Sequence, residues 1–311
     1  MALLIDIKQP QWMTDEELRE QLRAIDPQAD IRCGDDPGNP EDIEMLTVSS
    51  YLPGEALKYP NLKLVQKTGA GVEGIMDDES LPASVRVARL RTDTSGREMA
   101  EFALAYVLQE QRHIRQYQAN QSKSLWEAYA PRRACETTVA VLGLGRIGEL
   151  VANKFLDCDF KVIGWSRSQK NLAGVDCFAG EEQMAEVLGK ADYVVSILPS
   201  TPATTKLFNR RTFALMKPSA FIINVGRGTL IDEDELLESL DAGLLGGAVL
   251  DVMQTEPLLE TSGLWTHPKV ILTPHVSGWH LGDAVVDIAE NYRRIKAGEP
   301  LLNEVNRDLG Y

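Results

Sequence analysis

The stretch TVAVLGLGRIG (residues 138–148) decides the fold class of this 311-residue chain. A nearly continuous apolar run ends at Leu142, as in a strand buried on both faces of a parallel sheet. Gly143, Gly145 and Gly148 follow in the register G-x-G-x-x-G, and a helical pattern begins there. The glycine pattern alone is weak, but a strand before it and a helix after it predict a dinucleotide-binding turn.

Each glycine of this turn has its own expected role. Gly143 permits the tight turn, Gly145 lets a pyrophosphate approach the backbone, and Gly148 lets the helix pack against the sheet. Free amides at the start of the helix favour a phosphate group. A glycine-rich turn without a ligand is the alternative, and the strand–turn–helix context favours dinucleotide binding over it.

Strand and helix patterns alternate from residue 137 onward. Helix-like segments such as 146–157 and 232–243 separate several short apolar runs. These runs are TTVAVLG, FKVIGW, YVVSILP, AFIINVG, GGAVLDV and KVILTP. The alternation predicts a doubly wound parallel-sheet α/β domain of the Rossmann type.

A second, smaller α/β domain is predicted before this one. Thr14 and Glu17 form a capping box that opens a helix. The strand candidates are ALLIDI (2–7), MLTV (45–48), LKLVQ (62–66) and RVARL (86–90). The helical pattern at 282–298 would return the chain to this domain and make it discontinuous. We therefore expect residues 1–95 and 282–311 in one domain and residues 96–281 in the dinucleotide-binding domain.

Residues 96–118 predict one long helix, because apolar residues recur there with the 3.6-residue period. It is too long for a simple crossover. We expect this helix to bridge the two domains or to pack against a second subunit. An arm over residues 119–136 follows it.

Composition excludes several classes of protein. Hydrophobic residues make up 44% of the chain and charged residues 25%, as in globular proteins. A net charge of −14 would repel nucleic acid. No apolar run reaches the roughly 18 residues of a membrane helix, and the N-terminus does not resemble a signal peptide. The four cysteines have no metal-ligand spacing, so we expect reduced thiols, a cytoplasmic protein and no metal.

The stretch VIGWSRSQK predicts which dinucleotide binds. An NAD site places Asp or Glu about 20 residues past the glycines. This chain has Ser166, Arg167 and Ser168 there instead. Two hydroxyls and a cation suit a 2′-phosphate, so the sequence favours NADP over NAD. A solvated surface arginine is the alternative.

Polar residues follow three later strands of the predicted sheet. They are Arg227 in NVGRG, Asp251 and Glu256 in LDVMQTEP, and His275 in LTPHVSG. Ligands bind outside the carboxyl ends of the strands in open parallel sheets, so these residues would converge on the edge that carries the glycine turn.

The chemistry of these four residues fits a 2-keto acid. Arg227 can fork onto a carboxylate and a neighbouring carbonyl oxygen. His275 can give a proton to that oxygen as hydride reaches the carbon, and Glu256 would stabilise the imidazolium. Asp251 would bind the carboxamide of the nicotinamide.

Six motifs in this order resemble the D-isomer-specific 2-hydroxyacid dehydrogenase family. They are TGAGVEGI (68–75), GLGRIG (143–148), LPSTPATTKLFN (198–209), ALMKPSAFIINVGRGTLIDEDEL (214–236), LDVMQTEPL (250–258) and TPHVSG (273–278). Within the family, SRS (166–168) and the VNRDLGY tail are most similar to the bacterial A type of glyoxylate/hydroxypyruvate reductase. The resemblance implies a Rossmann cofactor domain and a smaller, discontinuous, flavodoxin-like substrate domain.

The resemblance also implies roles for individual residues. Arg227, Glu256 and His275 would form the catalytic set, since His275 follows Thr273-Pro274 in the family's catalytic slot and His280 has no such match. The amides of Ala70, Gly71 and Val72 would hold the substrate carboxylate, with Trp279 a wall of the pocket. The implied cofactor-binding residues are Gly143, Gly145, Arg146, Ile147, Gly148, Ser166, Arg167, Ser168, Leu198, Pro199, Thr201, Val225, Gly226, Asp251, His275 and Gly278.

The expected activity is NADPH-dependent reduction of small 2-keto acids, glyoxylate and hydroxypyruvate first. Two alternatives stay open: a dehydrogenase for a bulkier 2-keto acid, and a nucleotide-sensing protein without turnover. A homodimer is implied, with residues 96–136 at its interface. Trp126 on the arm would either pack locally or reach the partner's pocket. TVSSYLP (47–53) matches no substrate-selecting pattern, so the preferred 2-keto acid is left open.

Overall fold

The computed structural model describes residues 1–9, 12–282 and 284–307. Within these ranges the strands are β1 (Ala2–Asp6), β2 (Ile31–Cys33), β3 (Ile43–Val48), β4 (Leu64–Lys67), β5 (Arg86–Ala88), β6 (Thr138–Leu142), β7 (Lys161–Ser166), β8 (Val175–Ala179), β9 (Tyr193–Ser196), β10 (Phe221–Asn224), β11 (Gly247–Leu250) and β12 (Val270–Leu272). The helices are α1 (Asp15–Ile25), α2 (Glu73–Met76), α3 (Asp93–Gln111), α4 (Ile114–Ser122), α5 (Arg146–Leu156), α6 (Met184–Lys190), α7 (Arg210–Phe213), α8 (Glu233–Asp241) and α9 (Ala284–Ala297).

The chain divides into two compact units. Unit 1 contains Met1–Thr94 and Trp279–Tyr311, and unit 2 contains Ser95–Gly278. The sequence predicts the second boundary after residue 281, whereas the structure has it after Gly278, so Trp279 belongs to unit 1 and not to unit 2. None of the helices in the described ranges has both the length and the hydrophobicity needed to cross a bilayer.

Unit 2 contains a parallel sheet in the order β12-β11-β10-β9-β6-β7-β8. Counted from β6, this is the dinucleotide-binding order 3-2-1-4-5-6 with one further strand beyond β11. The predicted doubly wound fold is therefore confirmed. The strand order reverses between β6 and β9, and the glycine-rich turn leaves the carboxyl end of β6 at that switch point.

Both faces of this sheet are covered, which explains the continuous apolar runs. Alternate residues of β6 enter two different clusters, with Val139 and Val141 on one face and Ala140 and Leu142 on the other. All four are fully buried. Strands without a solvated face can carry apolar side chains at every position.

Unit 1 contains a parallel sheet in the order β2-β1-β3-β4-β5. This is the flavodoxin-like order 2-1-3-4-5, so the predicted second α/β fold is also confirmed. Helix α9 packs on this sheet, where Ile288 and Tyr292 are buried beside Leu3 and Ile5. The Tyr292 hydroxyl donates to the carbonyl of Met1 at 3.0 Å, so the end of the chain returns to its start.

Two local predictions from the sequence have different outcomes. The predicted helix 96–118 is wrong as one element, because His113 adopts a left-handed φ of 55° and separates α3 from α4. The His113 ring lies 5.6 Å from that of Tyr129, and its Nε2 lies 3.2 Å from the carbonyl of Ala130, so the arm packs against the break. The predicted capping box is confirmed, since Thr14 and Glu17 bond reciprocally at the start of α1.

Candidate active site and dinucleotide-binding edge

The three glycines of the turn after β6 have three different surroundings. Gly143 has φ +105°, a conformation that side chains disfavour. A Cβ on Gly148 would lie 1.9 Å from the carbonyl oxygen of Gly143, so α5 approaches the turn closely. A Cβ on Gly145 would meet nothing within 4 Å, and Gly145 directly precedes α5. The turn thus leaves space at the start of a helix, which fits a pyrophosphate group.

The residues directly after β7 present one hydroxyl and a cation. Ser166 is the last residue of β7 and its hydroxyl donates to the carbonyl of Ser168 at 2.8 Å. Arg167 and Ser168 are exposed. Asp or Glu does not occur between residues 160 and 175. A carboxylate that would repel a 2′-phosphate is therefore missing from this part of the sequence.

The loops after β9 and β10 touch through their main chains. A Cβ on Gly226 would lie 2.6 Å from the carbonyl oxygen of Leu198, so only glycine fits there. Leu198 and Val225 are buried beneath this contact. Thr201 is held at the same edge by a 2.9 Å hydrogen bond between its hydroxyl and that of Thr204. Both loops therefore have fixed positions beside the switch point.

Arg227 is positioned from the end of β10. Buried Asn224 donates from Nδ2 to the carbonyl of Arg227 at 2.8 Å and accepts from the amide of Gly226 at 3.2 Å. The guanidinium Nη1 of Arg227 donates to the carbonyl of Gly226 at 2.7 Å. A Cβ on Gly228 would lie 1.9 Å from both the carbonyl carbon and oxygen of Met253. This contact brings the loop of Arg227 against the loop that carries Glu256.

His275 and Glu256 form a hydrogen-bonded pair. Nδ1 of His275 lies 2.8 Å from Oε2 of Glu256, while Oε1 of Glu256 accepts from the amide of Met253 at 2.9 Å. Burial raises the pKa of Glu256, but the hydrogen bond with His275, its charge, the Met253 amide and the charge of Arg227 together lower that pKa below its usual value. Glu256 is therefore a carboxylate that can only accept, and Nδ1 carries the hydrogen.

The hydrogen bond to Glu256 uses Nδ1 of His275, and Nε2 is the other ring nitrogen. The His275 side chain is 49% exposed, so Nε2 can reach a ligand. An imidazole whose Nδ1 is fixed by a carboxylate exchanges protons at Nε2. The His275 ring and the Glu256 carboxylate thus lie together in unit 2, and the charge of Arg227 acts on the same carboxylate.

Asp251 holds the turn that carries His275. Its Oδ1 accepts from the hydroxyl of Thr273 at 2.6 Å and from the amide of Val276 at 2.8 Å, and its Oδ2 accepts from the amide of Ser277 at 2.9 Å. The amide of His275 donates to the Asp251 carbonyl at 2.8 Å. His275 has a left-handed φ of 58°, and these bonds hold it there.

The site residues that the sequence predicts for substrate binding, apart from Arg227, lie in unit 1. Ala70 and Gly71 are at least partly exposed and Val72 is buried, after the carboxyl end of β4 in unit 1. The carbonyl of Ala70 accepts from Nη1 of Arg89 at 3.2 Å. The carbonyl of Trp279 accepts from Nε1 of Trp12 at 2.6 Å, also within unit 1.

The remaining cofactor candidates lie in unit 2. Arg146 and Ile147 begin α5, and Pro199 is exposed in the loop after β9. A Cβ on Gly278 would lie 3.2 Å from the Cβ of Ser95, so this glycine permits close packing at the start of α3.

Two supporting residues were missed from the sequence. Asn224 fixes the Arg227 loop, and Thr273 bonds the carboxylate that holds the His275 turn. Each follows directly on an apolar strand or ends one, and that position is the signal that could have found them.

The fold, the glycine turn and the His–Glu pair beside Arg227 define a dinucleotide-dependent dehydrogenase. The model of the D-isomer specific 2-hydroxyacid dehydrogenase, NAD binding domain matches residues 104–277, and the chain belongs to this family.

The chain is similar to several named proteins over nearly its whole length. It is 38% identical over 295 residues, 92% of this chain and 93% of the relative, to glyoxylate/hydroxypyruvate reductase A of Serratia proteamaculans. A D-isomer specific 2-hydroxyacid dehydrogenase of Xanthobacter autotrophicus, solved with NADPH and MES, superposes with a TM-score of 0.91 at 37% identity, covering 100% of this chain and 99% of that one. The NADPH-dependent glyoxylate/hydroxypyruvate reductase of Sinorhizobium meliloti, solved with NADP and sulfate, gives 0.90 at 32% identity with the same coverage.

Proposed function

We propose that the chain catalyses NADPH-dependent reduction of small 2-keto acids, glyoxylate and hydroxypyruvate first, to 2-hydroxy acids. The observation that carries this proposal is the 2.8 Å bond between His275 and Glu256 at the carboxyl edge of a dinucleotide-binding sheet. Pure nucleotide sensing needs no proton donor. The names of the bacterial relatives, all glyoxylate/hydroxypyruvate reductases of the A type at 35–38% identity, support the substrate class.

In this proposal each catalytic side chain acts on one part of the substrate. Arg227 binds the carboxylate with its planar fork and polarises the adjacent ketone oxygen. NADPH, when bound, supplies the hydride that C2 receives. His275 gives the proton from Nε2 to the ketone oxygen, and Glu256 stabilises the charged imidazole before that transfer. The amides of Ala70, Gly71 and Val72 hold the substrate carboxylate.

The cofactor is held by the loops at the switch point of unit 2. The turn from Gly143 to Gly148 takes the pyrophosphate, and the loops at Leu198 and Gly226 contact the rest of the dinucleotide. In this proposal the carboxamide donates a fourth hydrogen bond to the buried carboxylate of Asp251, which already accepts three and has about four lone-pair sites. Arg167 and the two serines beside it bind the 2′-phosphate, which gives the preference for NADPH over NADH.

A homodimer in the cytoplasm is also part of this proposal. Five large apolar side chains are exposed on α3, α4 and the arm that follows. They are Leu108, Ile114, Tyr117, Leu125 and Trp126, the last of them fully exposed. An apolar surface of this kind favours association with a second copy. Unit 1 would then act as the substrate domain and unit 2 as the cofactor domain of each subunit.

Turnover of two histidine variants tests the proposal. The wild-type chain should oxidise NADPH with glyoxylate and hydroxypyruvate, more efficiently than it oxidises NADH, as followed by the loss of absorbance of the reduced cofactor. His275→Ala should lower kcat by roughly 10²- to 10⁴-fold while NADPH binding is retained, because general acid catalysis contributes about that much. The matched control His280→Ala should change kcat far less. Equal losses in both variants would overturn the role of His275.

A further inference from the structure

A lysine lies beside the stretch of unit 1 that is proposed to hold the substrate carboxylate. Lys67 is the last residue of β4, and its Nζ donates to the carbonyl of Ser49 at 2.5 Å. The same ammonium lies 3.4 Å from the position of a Cβ on Gly69. The side chain therefore bends over the residue that directly precedes Ala70.

The short distance between the Lys67 ammonium and the 70–72 stretch suits a very small ligand. Consecutive Cα atoms are about 3.8 Å apart, so the ammonium lies roughly one residue from the start of the 70–72 stretch. A hydroxyl on C3 of a three-carbon 2-keto acid is three bonds of roughly 1.5 Å from the carboxyl carbon. A substrate whose carboxylate binds at these amides thus has its C3 substituent within reach of Lys67.

The surroundings of Lys67 favour a neutral substituent over a second anion. Ser49, whose carbonyl binds Lys67, is buried, and its hydroxyl accepts from the amide of Lys8 at 3.2 Å. The Lys8 ammonium pairs with the buried carboxylate of Glu55 and lies 3.4 Å from Asp6. The two carboxylates and the two ammonium groups of Lys8 and Lys67 thus balance at this edge of the sheet, which suits a neutral substituent.

We propose that Lys67 is a specificity-determining residue, which donates a hydrogen bond to a hydroxyl group on C3 of the 2-keto acid. The inference rests on the proposed function and deepens it, because it selects hydroxypyruvate among the small 2-keto acids. An ammonium has three N–H donors, and the substrate hydroxyl takes one of them. Glyoxylate has no C3 and pyruvate has no hydroxyl, so neither gains this bond.

Hydroxypyruvate and pyruvate provide the sharpest test, because they differ by one hydroxyl group. The ratio of kcat/KM for hydroxypyruvate over pyruvate should be large in the wild-type enzyme. Lys67→Met should reduce that ratio by about ten- to a hundred-fold, the value of a hydrogen bond to a charged group. kcat/KM for glyoxylate should change by no more than a few-fold in the same variant.

Two further variants separate recognition from folding and from general charge. Lys63→Met removes a lysine just before the other end of β4, where it pairs with Glu44, and should leave the ratio unchanged. Lys67→Arg keeps the charge and should retain part of the ratio. Thermal denaturation of every variant reports whether unit 1, which carries the substitutions, is folded.

The possible results are distinguishable. A Lys67→Met enzyme that loses activity equally with all three substrates, or one that keeps the wild-type ratio, overturns the role of Lys67. Wild-type enzyme that reduces pyruvate as efficiently as hydroxypyruvate also overturns it. Wild-type protein that turns over no 2-keto acid at all defeats the proposed function instead.

Discussion

The two sheets of this protein are both parallel, yet their carboxyl edges are built in different ways. In unit 2 the loops press main chain against main chain, at Gly148, Gly226 and Gly228, where an added Cβ would lie within 2.6 Å of a backbone atom. In unit 1 the loops are joined by side chains, as in the bond from Lys67 to Ser49.

This difference determines what can be recognised from sequence. A backbone contact that only glycine tolerates leaves a glycine at a fixed spacing after a strand, which is a motif. A side-chain contact such as that between Tyr51 and Asp78 joins residues 27 positions apart that carry no shared pattern. The sequence therefore contains motifs for the carboxyl edge of the sheet in unit 2, whereas the segment 47–53 in unit 1 matches no pattern.

The largest effect is expected where two loops of unit 2 meet. Gly228→Ala places a Cβ 1.9 Å from Met253, so the loop of Glu256 must move away from that of Arg227. A displacement of about 1 Å can cost roughly 10²-fold in rate, and we expect kcat/KM to fall by at least that much. Gly189→Ala is the control, because its Cβ would make an ordinary 3.6 Å contact. Steady-state kinetics near wild type for Gly228→Ala would show that the backbone contact is dispensable.

A smaller effect separates two glycines of the same turn. Gly148→Ala should lower the free energy of unfolding by about 1–3 kcal/mol without any ligand, because overpacking forces the turn apart. Gly145→Ala should leave the melting temperature of the free protein unchanged, because its Cβ would meet no protein atom within 4 Å. The same Cβ would occupy space proposed for the pyrophosphate, so the substitution should weaken NADPH binding. Thermal denaturation and cofactor titration measure the two effects. Equal shifts of the melting temperature would contradict the distinction.

The smallest effect concerns the side-chain network of unit 1. Asp78 accepts from the hydroxyls of Ser80 and Tyr51 and the amide of Gly54. The Ser80 hydroxyl contributes most to lowering the pKa of Asp78 to about 2; burial opposes it, and the other donors add to it. Because the folded pKa lies below the unfolded value of about 3.9, this stabilisation is complete above pH 4 and is lost as pH falls toward 2.

Asp78→Asn should therefore lower stability at pH 7 by about 1 kcal/mol and show a weaker loss between pH 4 and pH 2 than the wild type. Urea unfolding midpoints at pH 7 and pH 3 measure both quantities. Asp77→Asn, at the exposed neighbouring position, should behave as the wild type. If Asp78→Asn has the same pH dependence of stability as the wild type, Asp78 does not contribute to the loss of stability between pH 4 and pH 2.

Much of the fold was predictable because it rests on local patterns. The strands buried on both faces, such as β6 and β11, appeared as continuous apolar runs. The strands β2 and β8 were missed because neither forms a clear apolar run: β2 has only three residues, and only the first of the five residues of β8 is buried. The break at His113 was missed because the apolar period continues across it while a tyrosine 16 residues later pairs with its ring.

Only the site residues that follow predicted strands or stand in recognisable motifs could be predicted from the sequence. Arg227, Glu256 and His275 each follow a strand, and we placed them together for that reason. The residues that support them, Asn224 and Thr273, stand inside the motifs NVGRG and TPHVSG, but the hydrogen bonds that give them their roles depend on distances set by the folded sheet.

The tether of Glu256 has a consequence for the entropy of binding. One oxygen of its carboxylate is held by the Met253 amide and the other by His275, whose backbone is fixed in turn by Asp251. Ordering a rotamer-rich side chain at a binding site costs about 0.5–1.5 kcal/mol. Here the imidazole and the carboxylate lose that freedom when the chain folds. Under the proposed function, each arriving substrate therefore meets a His275 ring that is already oriented, and none of its binding free energy is spent on orienting it.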